Sequence, residues 1–285
     1  MHKAARLRDM TLCAAHDKPA PLADPCDASV LIDGVPAARL ASKAACPEQG
    51  AELVGAGAAM VLIGGLPAAR IGDGLLDKGV IVGPGASQVL IGGPTFAVPS
   101  VITIEGDEAY RSKVVRDLYF ISTTRSGREI LDRLERAGQP ITIKPITAAH
   151  PYTGQVPLSA EDSLAGRPTG SEIYYDPEYE TITRGANGEV FKLSPQEALM
   201  HESIHASTDA AGTTPTGTDE KYPGQGFIRN SESQAIGVWS YEGTFPTENT
   251  FRDDLGLKPH RAVHVKQVVD DPSQLPPQNF RPGQP

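Results

Sequence analysis

The sequence predicts two domains of different fold class, an all-β domain of repeated hairpins and an α+β domain. Two observations separate them. A short apolar motif recurs within residues 1–98, and no aromatic residue occurs before Phe96, whereas aromatic and charged residues are frequent after it. We therefore expect the all-β domain over 1–98, the α+β domain over 99–270, and a Pro-rich, disordered tail over 271–285. A chain of 285 residues is long enough for two separate cores.

The all-β domain is predicted from an internal repeat. Residues 29–39 (SVLIDGVPAAR) return as residues 60–70 (MVLIGGLPAAR), and residues 88–94 (QVLIGGP) are a truncated third copy. Each copy is a β-branched apolar run followed by a two-residue turn, which is a strong hairpin signal. Copies about thirty residues apart indicate stacked units that share one core. Three hairpins around a pseudo-threefold axis would form a compact, conical body.

The composition argues against several functional classes. The formal net charge is −9 and Lys and Arg form no cluster, so binding to nucleic acid is not expected. No stretch approaches about eighteen apolar residues, so no stable membrane anchor is expected. The basic N-terminus has no apolar segment after it, so no secretory signal peptide is expected. The three cysteines, an odd number, argue against a disulfide scaffold.

The duplicated Pro-Ala-Ala-Arg and the Val-Leu-Ile strands before it resemble the PAAR-repeat proteins over residues 1–98. Members of that family are the conical tips that cap the VgrG spike of bacterial type VI secretion systems. The resemblance implies that a VgrG trimer is the docking partner. It also implies that the protein is made in the bacterial cytoplasm and is delivered into target cells by the type VI system.

The same resemblance implies a structural zinc ion near the tip, held by His and Cys side chains. Cys13, His16 shortly after it, and Cys46 stand at positions where family ligands are common. Asp77 stands where the family normally has a fourth ligand, a histidine. Cys26, just before the first repeated strand, is expected to be structural. The alternative for the whole set is that the cysteines are small buried hydrophobic residues.

The second domain is predicted from strand and helix signals. Residues 126–138 predict an amphipathic helix with Ile130, Leu131 and Leu134 on one face and Gly138 as its stop. Short apolar or alternating runs predict strands at residues 101–106, 120–122, 141–146, 172–176 and 180–183. Residues 212–226 predict a long polar loop.

Residues 194–206 carry the strongest chemical signal, the HExxH motif His201-Glu202-Ser203-Ile204-His205. Ser194 as N-cap, Pro195 at the first helical position and Glu197 in a capping box predict a helix. Residues four apart lie on one face of a helix, so both histidines can bind one Zn²⁺. The adjacent Glu202 can then act as general base on a water. The alternative is a polar helix face that carries two histidines by chance.

A catalytic zinc needs a third protein ligand and an open position for water. Glu232 follows His205 at a distance that allows a loop and a return on a second helix. Two His and one Glu form the gluzincin arrangement. Asp219 is the alternative third ligand, because residues 217–222 are similar to the aspzincin pattern with a spacing one residue short.

Four segments in this order resemble the NleD-like effector zinc metallopeptidases of bacterial pathogens: residues 170–177, 199–206, 232–237 and 247–257. The match covers about residues 170–264. It implies zinc ligation by His201, His205 and Glu232, with Glu202 as the base. His264 stands at or near the position where family members have a tyrosine. The oxyanion could therefore be stabilised by any of three donors, His264, Tyr222 or Tyr241.

Three functions remain open at this point. The first is a zinc endopeptidase toxin, carried on a secretion-system tip, that cleaves a protein in the target cell and has a cognate immunity protein. The second is a structural spike-tip adaptor with a non-catalytic, cargo-binding extension. The third is a zinc amidase that acts on the cell wall. A capped HExxH helix followed by a spaced Glu favours an enzyme, because an adaptor has no need for either.

Overall fold

The computed structural model describes residues 1–14, 16–46, 50–185, 188–219 and 228–263. The chain forms two compact units. The first contains Met1–Val98 and Gly106–Tyr119, and the second contains Pro99–Glu105 and the chain from Phe120 onward. Gly106–Tyr119 thus groups with the first unit, although it follows the boundary predicted near residue 98. The predicted Pro-rich tail over 271–285 lies outside the described residues.

The first unit consists of short antiparallel strands, and the predicted β-rich fold is confirmed. The strands are β1 (His2–Lys3), β2 (Met10–Cys13), β3 (His16–Ala23), β4 (Asp27–Ile32), β5 (Val35–Ala37), β6 (Lys43–Cys46), β7 (Gly50–Leu53), β8 (Ala56–Ile63), β9 (Leu66–Ala68), β10 (Val80–Gly83), β11 (Leu90–Ile91) and β12 (Thr95–Ala97). They form a sheet β10-β2-β3-β6-β7, a sheet β12-β8-β9, and the pairs β4-β5 and β1-β11. Small residues fill the core, together with Leu22, Val54, Ile81 and Cys26.

Three equivalent segments meet within this unit. The N–H of Ala5 donates to the carbonyl of Ala69 (2.9 Å), that of Ala69 to Ala38 (3.0 Å), and that of Ala38 to Ala5 (3.0 Å). This closed cycle is the pseudo-threefold arrangement expected from the repeat. Ala38 and Ala69 belong to the two Pro-Ala-Ala-Arg copies. Ala5 belongs to a further copy, Lys3-Ala4-Ala5-Arg6, which the sequence analysis missed because a lysine replaces the proline.

The third hairpin differs from the other two. β4 pairs with β5 and β8 with β9 across turns whose two central residues have positive φ, as type I′ hairpins require. β11 pairs instead with β1, at the start of the chain. Pro94 stands where the first two copies have Val35 and Leu66, and it has no N–H to close a hairpin. The third repeat is therefore completed by a distant segment rather than by its own turn.

The second unit is α+β, as predicted. Its strands are β13 (Ile102–Ile104), β14 (Ile141–Pro145), β15 (Gly154–Pro157), β16 (Ser171–Tyr175), β17 (Thr181–Gly185), β18 (Val190–Leu193), β19 (Thr218–Asp219), β20 (Ile228–Arg229) and β21 (Arg261–Val263). The helices in chain order are α1 (Glu108–Ser122), which begins in the first unit, α2 (Arg125–Ala137), α3 (Ala160–Leu164), α4 (Pro195–Ala211), α5 (Asn230–Ile236) and α6 (Glu248–Asp254).

The predicted strand at residues 120–122 is wrong, because these residues end α1. Val114, Val115, Leu118 and Ile121 are fully buried, and their spacings of three and four residues form a helical stripe. The charged residues between them concealed this period in the sequence. The predicted helix at 126–138 is confirmed as α2, which ends at the C-cap Gly138, and the strand at 141–146 is confirmed as β14.

The central sheet positions the HExxH helix. Its order is β13-β14-β16-β15, with the first three strands parallel and β15 antiparallel at the edge. Ile141, Ile143, Ile173 and Tyr175 alternate along β14 and β16 and are buried. Helix α4 packs against β15, β16 and α2. The HExxH helix therefore lies beside the edge strand of the sheet.

Candidate metal centre

Helix α4 forms as its sequence predicts. The Ser194 hydroxyl accepts the N–H of Glu197 (3.3 Å), and the Glu197 carboxylate accepts the N–H of Ser194 (2.8 Å), which completes the capping box. The helix ends at Gly212, whose φ of 66° is the left-handed conformation that glycine adopts without strain. The HExxH residues thus lie within a regular helix that is capped at both ends.

Three predicted ligands converge at one point. His201 Nε2 lies 3.1 Å from Glu232 Oε2 and 3.1 Å from His205 Nε2, and His205 Nε2 lies 3.5 Å from Glu232 Oε2. Glu232 is on α5, the second helix that the spacing anticipated. The three side chains expose only 3%, 11% and 11% of their surfaces, so the protein shields the ligand atoms from bulk water.

The geometry fits zinc. Zinc binds nitrogen and oxygen ligands at about 2.0–2.1 Å in a tetrahedral arrangement, so two ligand atoms lie roughly 3.3 Å apart. The observed separations of 3.1, 3.1 and 3.5 Å bracket that value. Two imidazoles and one carboxylate are a donor set of catalytic zinc sites and leave a fourth position for water.

His201 is held at its other ring nitrogen by Glu248, which in turn is held by Arg261, and neither residue had a role assigned from the sequence. Nδ1 lies 2.9 Å from Oε2 of Glu248 on α6, and this oxygen also accepts a 2.5 Å hydrogen bond from Arg261. A carboxylate at Nδ1 fixes the tautomer and directs Nε2 toward the metal. The resemblance at residues 247–257 marks this segment, but no local pattern shows that Glu248 contacts His201, which is 47 residues away and on another helix.

The buried titratable groups at this centre shift one another's pKa. Burial would raise the pKa of Glu248, but Arg261 and His201 outweigh it and hold the pKa below its usual value. Burial would also lower the pKa of His201, yet its hydrogen bonds to Glu232 and Glu248 raise it to about 10. The surrounding carboxylates therefore favour a positive charge at this point, which is what a metal cation supplies.

Glu202 lies next to the candidate ligands but outside their cluster. The cluster of atoms that could hold a metal contains His201, His205 and Glu232 only. Oε2 of Glu202 accepts the backbone N–H of Gln155 on β15 at 2.9 Å. Its Oε1 accepts no hydrogen bond from the described residues. This position next to the metal ligands suits a base rather than a ligand.

The other candidates for this centre stay predictions. Asp219 ends β19 opposite Ile228, and its side chain lies outside the described part of the chain. Tyr222 and His264 also lie outside it. Tyr241 is partly buried in a 3-10 turn, Trp239–Tyr241, that follows α5. Its role as the oxyanion donor is untested.

Only part of the predicted tip site lies within the described residues. β3 pairs with β2 and with β6, so the backbone places Cys13, His16 and Cys46 toward the same end of the sheet. Both thiols are buried, and the His16 side chain is not among the described parts of the chain. Asp77 pairs with Arg111 of α1 at 2.8 Å. Within the described residues no second group of three ligand atoms accompanies the one at His201. The tip zinc therefore stays a prediction.

The fold and the ligand set define the second unit as that of a zinc metallopeptidase. The chain belongs to the Peptidase M91 family, described as effector protein, which matches residues 98–262, more than half of its length. The PAAR motif matches residues 15–76. No curated protein matches the chain. No helix among the described residues is long and apolar enough to cross a membrane.

Several solved structures are remotely similar. The light chain of botulinum neurotoxin type D is 15% identical, with a TM-score of 0.37 over 53% of this chain and 50% of that one. The catalytic domain of Clostridium botulinum neurotoxin serotype F is 17% identical, with a TM-score of 0.36 over 52% and 48%. The Salmonella zinc metalloprotease effector GtgA is 15% identical, with a TM-score of 0.31 over 56% and 71%. The chain spans about half the length of the neurotoxin chains it matches.

Proposed function

We propose that this protein is a type VI secretion effector, in which the PAAR unit delivers a zinc-dependent endopeptidase into a target cell. The observation that carries the enzymatic part is the convergence of His201, His205 and Glu232 beside an uncoordinated Glu202. Membership of a family of effector peptidases supports the same reading. A cargo-binding adaptor would have no use for such a buried ligand set.

Each residue of the centre has a role in peptide hydrolysis. His201, His205 and Glu232 would hold zinc, which when bound polarises a carbonyl and makes a water more acidic. Glu202 takes the proton of the attacking water on its unengaged Oε1 and passes it to the leaving amine. Glu248 and Arg261 keep the His201 ring in the orientation that ligation needs.

The edge strand β15 favours a polypeptide substrate over a cell-wall crosslink. An edge strand presents backbone groups to which an extended peptide can add as a further strand. β15 lies directly beside Glu202, since Gln155 donates to it. Tyr152 and Leu158 flank the strand and expose 48% and 56% of their surfaces, which offers apolar contact area for substrate side chains. These features suit the binding of an extended protein segment.

A Glu202→Gln variant tests the enzymatic proposal. It keeps the size of the side chain but removes the base, so we expect cleavage and toxicity to be abolished while zinc content stays at the wild-type level. New protein N-termini would be profiled in cells that express wild type, Glu202→Gln, or the control Glu189→Gln, an exposed glutamate on the β17–β18 loop. Near-normal cleavage by the Glu202 variant would remove the main support for a peptidase.

We also propose a VgrG trimer as the docking partner. The three repeats carry exposed apolar pairs at equivalent positions: Val30 and Leu31, Val61 and Leu62, and Val89 and Leu90. The leucines expose 60%, 51% and 55% of their surfaces. A pseudo-threefold set of exposed apolar residues suits the end of a threefold partner, and apolar patches of this kind mark interaction sites.

The docking proposal is tested by pull-down of the full chain with a VgrG trimer. Replacing Leu31, Leu62 and Leu90 together by Asp should abolish capture, because three charges would be buried in the contact. Leu257→Asp, an exposed leucine of the second unit, is the control and should be captured like wild type. Normal capture of the folded triple variant would exclude this surface.

A further inference from the structure

A buried carboxylate lies on the same helix as the candidate base. Asp209 follows Glu202 by two turns on α4, so both project from one side of the helix. It is 2% exposed and accepts three hydrogen bonds, from Ser163 (2.6 Å), Thr214 (2.5 Å) and the Gln155 side chain (2.7 Å). No Lys or Arg of the described chain pairs with it. Neutral donors alone therefore offset the cost of burying this carboxyl group.

Gln155 is clamped by this carboxylate. Its Nε2 donates one hydrogen to Asp209 Oδ2 and the other to Ser171 Oγ, each at 2.7 Å. Asp209 is on α4 and Ser171 is the first residue of β16. The Gln155 side chain therefore ties the edge strand β15 to both the HExxH helix and the neighbouring strand. An edge strand has only one strand partner, so a second attachment of this kind determines how firmly it is held.

The backbone of the same residue contacts the base. The N–H of Gln155 donates to Glu202 Oε2 at 2.9 Å, which leaves Oε1 unengaged. We propose that Asp209 is a positioning residue for Glu202 that acts through Gln155. Its carboxylate fixes the Gln155 side chain, the side chain fixes β15, and the strand's N–H holds the base in one orientation. This inference rests on the proposed peptidase function, because it assigns Glu202 as the base.

Two single variants and their combination test the clamp. Asp209→Asn puts an amide nitrogen where an acceptor is needed, and Gln155→Glu sets two carboxylates against each other. Each should lower kcat on the best peptide of an internally quenched peptide library about 10- to 100-fold, because small misplacement of a catalytic group has effects of that size. Zinc content should stay within about twofold of wild type, since neither residue touches the metal ligands, and the loss in kcat should exceed any rise in KM that the same loosening of β15 causes.

The double variant Asp209→Asn with Gln155→Glu should recover most of kcat. The new amide at position 209 can donate to the new carboxylate at position 155, which restores the link with its direction reversed. Asp162→Asn, at a partly exposed residue of α3 that pairs with Arg167, is the matched control and should keep the wild-type kcat. Failure of the double variant to recover would make Asp209 merely structural and overturn the proposal.

Hydrogen exchange of the residue 155 amide in the metal-free full chain gives a readout that needs no catalysis. The amide should be protected in wild type and in the double variant, and should exchange at least about tenfold faster in Asp209→Asn. Unchanged protection in Asp209→Asn, or lost protection with unchanged kcat, would each overturn the proposal. A wild type that cleaves no peptide but shows the expected exchange pattern would instead count against the proposed peptidase function.

Discussion

Each histidine ligand of the candidate centre depends on a carboxylate from another helix. His201 lies between Glu232 of α5 and Glu248 of α6, at 3.1 and 2.9 Å from its two ring nitrogens. His205 meets the same Glu232 oxygen at 3.5 Å. The HExxH motif supplies the imidazoles, but the orientation of the rings depends on carboxylates from α5 and α6. Loss of the Glu232 or the Glu248 carboxylate should therefore weaken metal binding and not only lower the catalytic rate.

The identity of the third ligand can be decided by metal analysis of the full chain. Glu232→Ala should weaken zinc binding by more than the roughly 10- to 100-fold that follows loss of an outer-shell partner, because it removes a direct ligand. Asp219→Ala should leave the catalytic zinc in place. The reverse result would favour the aspzincin-like arrangement.

Cys26 should be unreactive in the folded protein. Burial, the largest effect, raises the pKa of its thiol to about 11, and Sγ donates to the carbonyl of Ala23 at 3.5 Å. At pH 8 only about one thiol in a thousand is then the reactive thiolate, since the fraction falls tenfold for each unit below the pKa. Peptide-level mass spectrometry after iodoacetamide treatment should show Cys26 unmodified in native protein and modified in urea. Rapid native labelling would contradict its place in the core.

The first turn of α4 is anchored by a buried ion pair. Arg252 of α6 contacts Glu197, the residue that closes the capping box, and both side chains are 3% exposed. The guanidinium also lies 4.4 Å from the ring centroid of Phe191 and donates to the carbonyl of Pro259 at 3.0 Å. Arg252 thus links α6, β18 and the HExxH helix. This link holds Glu248 of α6 close to His201 of α4.

Breaking this pair should destabilise the second unit. Arg252→Met leaves the Glu197 carboxylate buried without its partner, which costs about 3–5 kcal/mol in comparable sites. Ser194→Ala, which removes only the cap hydroxyl, should cost about 1 kcal/mol. Urea unfolding followed by fluorescence of Trp239, the single tryptophan, reports on this unit. Equal effects of the two variants would show that Arg252 contributes no more than the cap.

Helix α1 connects the two units but begins as part of the first. Arg111 pairs with Asp77 and donates to the carbonyl of Ala51, and Glu108 pairs with Lys43 at 2.7 Å. The ring of Tyr119 meets Phe96 edge-on, with centroids 5.3 Å apart. We therefore propose that the first unit needs the part of α1 up to Tyr119 for its full stability, although the intervening residues 99–105 belong to the second unit.

A fragment of residues 1–122 should be more stable than one of residues 1–98. The longer fragment keeps the ion pairs of Arg111 and Glu108 and the aromatic contact of Tyr119, all of which the shorter one lacks. Thermal melts by circular dichroism should show the higher Tm for 1–122. Arg111→Ala should lower that Tm, while the exposed Arg116→Ala should not. Identical melting of both fragments would place the boundary near residue 98 after all.

The sequence by itself determined the features that depend on neighbouring residues. Hairpin turns, the capping box and the HExxH spacing are set within a few positions, so the repeats, α4 and the facing of His201 and His205 could be predicted. The place of Glu232 beside the two histidines could also be predicted, because a zinc site of this kind requires a third ligand. The prediction of a strand at 120–122 was wrong because three residues are too few to reveal a helical period.

Only the tertiary structure decided the contacts between distant segments. The Lys3-Ala4-Ala5-Arg6 copy completes the third repeat because β1 reaches β11 from the other end of the first unit. Glu248 and Asp209 are ordinary acidic residues in the sequence, yet folding buries one against His201 and the other against Gln155. Burial gives such carboxylates their energetic weight, since a charge removed from water must be matched by specific partners. Those partners come from elements that only packing brings together.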